Sequence, residues 1–231
     1  MNVLVDYDNV RQHHRTKGLV YVAERVLQAV SAVHPTLLRR LRIRLYGGWY
    51  EGLVLSRRAQ DLAAELLVEF PRVIFAAGTP VRTEMELAYS LEIDPSRHLW
   101  HTYRLHGLTD LASHPPASVG CSRTACALSN MYLLLSTGIC PEPGCTLEPR
   151  DLLFRRQQKL VDTMLTADLI FFAQSDPQPV CIVSSDDDFW PAVRTALVHG
   201  KIVIHVHTLP GHSTPPHYSA GTGPNYIQAA F

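Results

Sequence analysis

The chain has 231 residues, 46% of them hydrophobic and 18% charged, which suits one large domain carrying a sizeable insertion and excludes a disordered polymer. Lysine plus arginine number 21, as do aspartate plus glutamate, so neither a polybasic nucleic-acid coat nor membrane-surface electrostatics is the overall design. No apolar run reaches the roughly 18 residues of a spanning helix. The opening MNVLVDYDN carries acid where a signal peptide is basic, and five cysteines cannot all pair, so the expectation is a soluble, cytoplasmic, globular protein.

Val3-Leu4-Val5 is a short apolar run ending in Asp6, Asp8 and Asn9, the pattern of a buried parallel strand whose carboxyl end delivers polar groups. Val22, Val26, Ala29, Val30 and Val33 recur at helical spacing over Tyr21 to Val33. Leu41, Ile43 and Leu45 alternate with Arg40, Arg42 and Arg44, a strand with one wet face that Gly47-Gly48 ends. A helix around Leu53 to Phe70 and a strand at Arg72 to Ala76 follow. Strands alternating with helices predict an α/β fold with a mainly parallel central sheet.

The alternation breaks at about 80–148. Val81 to Leu91 and Leu99 to Leu105 read as an inserted β-hairpin turning at Asp94-Pro95-Ser96, and a Gly/Ser/Pro-rich stretch with four cysteines comes next. A long helix is expected from about Pro149 to Ala173, then strand Val180 to Val183, helix Phe189 to His199 and strand Ile202 to Val206. This gives a domain over 1–207 with that insertion. Residues 208–231, rich in Pro, Gly, His and Ser, read as a loosely ordered tail.

Acidic residues recur where an open α/β sheet places chemistry, outside the carboxyl ends of its strands. Asp6 and Asp8 follow the first strand, Asp186, Asp187 and Asp188 follow Cys181-Ile182-Val183, and Asp162 lies in the long helix three residues after Lys159. Carboxylates gathered at one point repel one another and call for a cation, and oxygen donors favour Mg²⁺ or Mn²⁺. Each acid alone reads equally as a cap or turn residue: Ser185 or Asp186 for the following helix, Asp8 or Asn9 for a turn. Asp168, six positions beyond Asp162 and so about 240° around the helix, points elsewhere and reads as a supporting or salt-bridge residue.

VDYDN at 5–9, RLYGGW at 44–49, KLVDTMLTAD at 159–168 and SSDDDF with Pro191 at 184–191 together resemble the NYN domain, the LabA-like branch of the PIN-like nuclease superfamily. The resemblance implies a Rossmann-like PIN/NYN fold and a Mg²⁺- or Mn²⁺-dependent ribonuclease acting on RNA. Its acidic site would match Asp6, Asp162, Asp186 and Asp188. Asn9 would match the polar residue that orients a ligand or water, and Lys159 the lysine before the helix acid, holding the scissile phosphate or offsetting the acids. The family's last motif reads Ser-Gly-Asp-Ser-Asp-Phe, so Ser185 and Asp187 are departures here. The other reading is a catalytically quiet RNA- or protein-binding module on the same fold.

Cys121 and Cys126, then Cys140 and Cys145, form two close pairs in turn-rich sequence, the arrangement of a structural tetrathiolate Zn²⁺ site in a lobe over 120–146. Four free thiols are the alternative, and His106 or His114 stands near enough to replace a cysteine. Such a lobe offers a surface for a protein partner; the oligomeric state is left open. Cys181 reads as core. Arginines cluster at 39, 40, 42 and 44, at 57 and 58, and at 150, 155 and 156, suited to phosphate contact or to a solvated face. Trp49 and Tyr50 suit either base stacking or coverage of the sheet edge. His205, His207, His212 and His217 form no recognisable ligand spacing.

Overall fold

The computed structural model describes the backbone of residues 1–34, 38–107, 113–120, 126–158 and 160–231, and the side chains of these ranges except 103–107 and 154–158. The chain divides into two compact units, Met1–Thr102 with Gln158–Phe231, and Tyr103–Gln157.

The larger unit is built on a seven-stranded sheet. In chain order its strands are β1 (Asn2–Asp6), β2 (Arg40–Tyr46), β3 (Arg72–Ala76), β4 (Thr79–Leu87), β5 (Val180–Val183), β6 (Val203–His207) and β7 (Tyr226–Ala230). They lie in the order β7-β6-β5-β1-β2-β4-β3. Every neighbouring pair is parallel except the edge hairpin β3–β4. That hairpin turns through Ala77 and Gly78, both at positive φ, which matches the twist of tightly joined strands.

Helices α1 (Leu19–Val33) and α2 (Arg57–Glu69) cover one face; α3 (Val161–Ser175) and α4 (Trp190–Val198) cover the other. Side chains alternate accordingly. Val3 and Val5 of β1 pack with α1 and α2, while Leu4 packs with α3 and α4, so the strand is apolar at every interior position. This is a Rossmann-like, doubly wound α/β unit. Its strand order reverses between β1 and β5, which leaves a crevice at their carboxyl ends.

Four expectations need correction. β4 is an interior strand of the main sheet, not the start of an inserted hairpin; the hairpin is only Ser90–Leu91 with Asp94–His98. Its alternation is misleading because Arg82, Glu84 and Glu86 sit on a wet face where β2 presents arginines. Second, the arginines of β2 are consumed there: Arg40 binds Glu84 at 2.7 Å, Arg42 binds Glu86 at 2.8 Å, and Arg44 reaches Glu86 and Glu92.

Third, the long helix expected from 149 is a one-turn helix at Pro149–Leu152, a strand at Phe154–Gln158, and then α3. Fourth, 208–231 is not a loose tail. It ends in β7, which pairs with β6 along its whole length, and the Phe231 ring meets His14 edge-on at 5.1 Å.

The smaller unit holds adjacent strands Tyr103–Gly107 and Phe154–Gln158 and a helix, Ala127–Thr137, which Gly138 ends at φ 73°. Cys126 precedes that helix, and Cys140 and Cys145 follow it as free thiols. Cys121, the fourth expected zinc ligand, lies outside the described residues, as does Lys159.

Asp168 is fully buried on α3, and it accepts from the Tyr46 hydroxyl at 2.6 Å and the Glu92 backbone N–H at 2.7 Å, with Arg44 at 3.5 Å. Burial raises its carboxyl above the usual range, against the pull of those partners. Asp168→Ala leaves Arg44 buried without this carboxylate, and should lower unfolding free energy by about 3–5 kcal/mol in a denaturant titration. Deleting Tyr226–Phe231 bares the β6 edge and should cost at least about 3 kcal/mol by the same measurement, the scale of removing a buried aromatic ring.

Candidate functional site

The crevice between β1 and β5 is where the predicted acids arrive. Asp6 is the last residue of β1 and only 6% exposed. Its Oδ2 accepts from the Ser184 hydroxyl at 3.1 Å, and its Oδ1 from the Asn9 backbone N–H at 3.3 Å. The Ser184 oxygen accepts in turn from the Asp186 N–H at 3.1 Å. Asp186 caps the short turn Asp187–Phe189 by accepting from the Asp188 N–H at 3.0 Å, so its expected capping role is real. That role occupies one carboxylate oxygen.

Asp162 sits in the first turn of α3, where the helix dipole favours negative charge. Burial is the main cause of its raised pKa, and the charges of Asp186, Asp188 and Asp8 add to it. Asp6 rises to about 7, first by burial and then through the charge of Asp162, against the lowering hydrogen bond from Ser184. Residues from β1, α3 and the β5 turn therefore stand within mutual electrostatic reach. Asp8 belongs to a different balance: it binds Arg15 at 3.3 Å and also Arg58.

Asn9 has a role that sequence alone does not reveal. Its side-chain carbonyl accepts from the Ser185 N–H at 3.0 Å and from the Thr208 hydroxyl, tying together the carboxyl ends of β1, β5 and β6. The Ser185 hydroxyl completes the junction by accepting from the Leu209 N–H at 3.0 Å. A glycine at 185 could not do this, so the Ser185 hydroxyl has a structural use. Asn9 is a positioning residue for the acidic turns.

Beside Asp8 lies a groove of about 620 Å³ whose lining mixes Arg15, Arg57 and Arg58 with the carboxylates Asp61 and Glu65, and Arg57 is paired with Asp61 at 3.2 Å. Arg58 stacks over Tyr7 at 4.9 Å and faces Trp49 at 5.8 Å. Trp49 and Tyr50 are themselves 1% and 4% exposed, so they cover the sheet and do not offer a stacking face. The Trp49 indole folds over Gly47, where a Cβ would lie 2.7 Å from the ring.

The donor set of the crevice is carboxylate oxygen throughout, which suits a hard divalent cation. Among the described residues, no three His, Cys, Asp or Glu side chains are gathered closely enough to hold a metal ion. Mg²⁺ commonly takes one or two protein carboxylates and fills its remaining positions with water and phosphate oxygen, so the acids present fit that cation on chemical grounds.

Comparison with protein-family models, with curated proteins and with solved structures gives no match to this chain.

The Asp6 pKa has a definite thermodynamic sign. An aspartate raised from its ordinary 3.8 to about 7 in the fold leaves the native state most stable below pH 4, and stability falls as pH rises through 7. In EDTA at pH 8, Asp6→Asn should therefore unfold at higher denaturant than wild type, by up to about 4 kcal/mol, and the gap should close at pH 4. An unchanged midpoint at pH 8 would contradict the buried-charge account.

Proposed function

We propose that this chain is an NYN-type, Mg²⁺- or Mn²⁺-dependent ribonuclease, with Asp6, Asp162, Asp186 and Asp188 as its cation-holding acids. The observation that carries the reading is the approach of acids from β1, α3 and the β5 turn at the sheet's switch point, where their repulsion is left for a cation to relieve. When bound, the ion would supply an activated water for in-line attack on a phosphodiester and stabilise charge on the leaving oxygen. The protein's own part is positioning. Ser184 fixes one Asp6 oxygen, Asn9 and Ser185 hold the two acidic turns in register, and Arg15 and Arg58 offer guanidinium groups to phosphates along the adjoining groove. Lys159 is assigned the scissile phosphate on the strength of the resemblance alone. The same reading gives Cys121, Cys126, Cys140 and Cys145 a structural Zn²⁺.

The raised Asp6 pKa favours one competing reading, a binding module that holds RNA without cutting it, because a protonated carboxyl is a poor cation ligand. A cleavage assay on RNA, DNA and a phosphomonoester separates the readings. Hydrolysis of RNA should appear with Mg²⁺ or Mn²⁺, vanish in EDTA, and rise with pH through about 7 as Asp6 ionises. Asp6→Asn and Asp162→Asn should each lower the rate at least about a thousandfold while circular dichroism stays unchanged. RNA retained intact at equal affinity with and without Mg²⁺ would establish the binding module instead.

A further inference from the structure

The seven-stranded sheet ends on β3, and nothing among the described residues continues it. The direction of each β3 backbone group follows from its ladder with β4. The two-residue turn at Ala77-Gly78 makes Ala76 and Thr79 a hydrogen-bonded pair, and bonded and non-bonded pairs alternate from there. Arg72, Ile74 and Ala76 therefore direct their N–H and C=O groups to β4. Two neighbours agree with this alternation. Arg82, opposite Val73, turns its N–H away from β3 and donates to the Arg39 carbonyl at 3.0 Å, and Pro80, opposite Phe75, has no N–H to give. The N–H and C=O groups of Val73 and Phe75 thus point out of the sheet, and among the described residues they meet no hydrogen-bond partner.

The side chains at the same two positions are also open. Val73 is 54% exposed and Phe75 68%, on the face opposite Ile74, which packs in the core with α1 and α2. Proteins blunt such an edge with lysine, proline, a bulge or an inward charge. From Val73 to Ala76 the strand has none of these, and its register with β4 is unbroken. Leu67 and Val68, in the last turn of α2 just before the strand, add further exposed apolar surface.

We propose that β3 is a self-association edge, on which a second copy of this chain lays its own β3 antiparallel about a two-fold axis at Ile74. The register is self-complementary: Val73 lies opposite Phe75 of the partner subunit, and symmetry repeats the pair with the roles exchanged. Each of the two pairs exchanges both backbone bonds, so four N–H···O=C bonds form from groups that have no other use. On the open face each pair sets a β-branched side chain against an aromatic one, a favourable cross-strand combination. Charge stays clear of the axis. Arg72, already paired with Glu69, falls opposite Ala76 of the partner subunit, so no charged residue of one strand opposes a charge on the other. A peptide from an unrelated protein would satisfy the backbone equally, but the matched pairs at 73 and 75 are what two identical strands supply. A five-residue strand pair lies below the roughly 1,200 Å² of a stable complex, so the dimer is of the reversible, micromolar class. It would join the two seven-stranded sheets into one.

The test uses the full chain and does not depend on any nuclease activity. Sedimentation equilibrium over about 1–300 µM should show a reversible dimer with a Kd of about 10–100 µM. Phe75→Lys places a charge on the exposed edge, and Val73→Pro removes an outward N–H that the β4 ladder does not use. Each should leave circular dichroism unchanged and weaken the dimer at least about tenfold. Should Val73→Pro lose its fold, Phe75→Lys alone decides. Amide exchange of the wild type locates the contact: exchange at Val73 and Phe75 should slow at least about twofold from the lowest to the highest concentration, while the amides of β7, at the opposite edge, stay unchanged. A wild type that remains monomeric to about 300 µM would overturn the inference and leave the edge to a strand from another protein. A dimer that Phe75→Lys leaves intact, or one in which the Val73 and Phe75 amides exchange as in the monomer, would overturn it equally.

Discussion

The burial of Asp6 is the constraint around which the larger unit is arranged. A strand buried on both faces must end somewhere, and β1 ends on a carboxylate at the one place where the sheet opens a crevice. Among the described residues, no arginine neutralises that group. The fold supplies a serine hydroxyl and a backbone N–H, and then brings Asp162 close enough to oppose ionisation. Arginines are available nearby, but Arg15 and Arg58 are directed to Asp8. Among the described residues, charge is thus balanced on one side of the crevice and left unbalanced on the other, at a cost in stability above neutral pH.

The opposite policy governs the sheet's far half. There β2 and β4 carry facing rows of arginine and glutamate, and the innermost arginine, Arg44, reaches Asp168 and Tyr46. Buried charge in this network is paired and hydrogen-bonded, the condition under which it is tolerated. Both α3 aspartates are pushed upward in pKa by burial, yet among the described residues Asp168 is the one with an arginine and two strong donors beside it. The helix therefore carries one acid that anchors it to the sheet and one turned toward the crevice. The angular separation of 162 and 168 is what lets a single helix serve both ends.

How much of this was legible depended on whether the signal was local. β1, α1 and β2 follow from apolar spacing, because their partners need only be apolar. β4 reads as part of an inserted hairpin because the β2 arginines that its glutamates answer lie more than forty residues away in sequence. β7 was hidden by its setting: Tyr226–Ala230 is short, and the Pro, Gly and Ser before it describe the loop, not the strand. At the site, the acids were readable from their position at strand ends. Asn9 as a clamp and Ser185 as an acceptor are not, since the partners of Asn9 lie 176 and 199 positions away and that of Ser185 lies 24 positions away on another loop.

The junction at Asn9 links these features physically. One amide carbonyl receives donors from the β5 turn and from the loop after β6, so neither can shift without releasing a hydrogen bond at the other. The β5 turn holds Asp186 and Asp188 on one side and Asp187 on the other, with His207 and Tyr226 feeling the charge of Asp187. Consecutive residues in a tight turn point in different directions, so a run of three aspartates is divided between two environments. The charge of the middle residue acts on His207 and Tyr226; the charges of the outer two act on Asp162. A charge at 187 therefore need not increase repulsion among the outer acids, which is how the turn accommodates three consecutive aspartates.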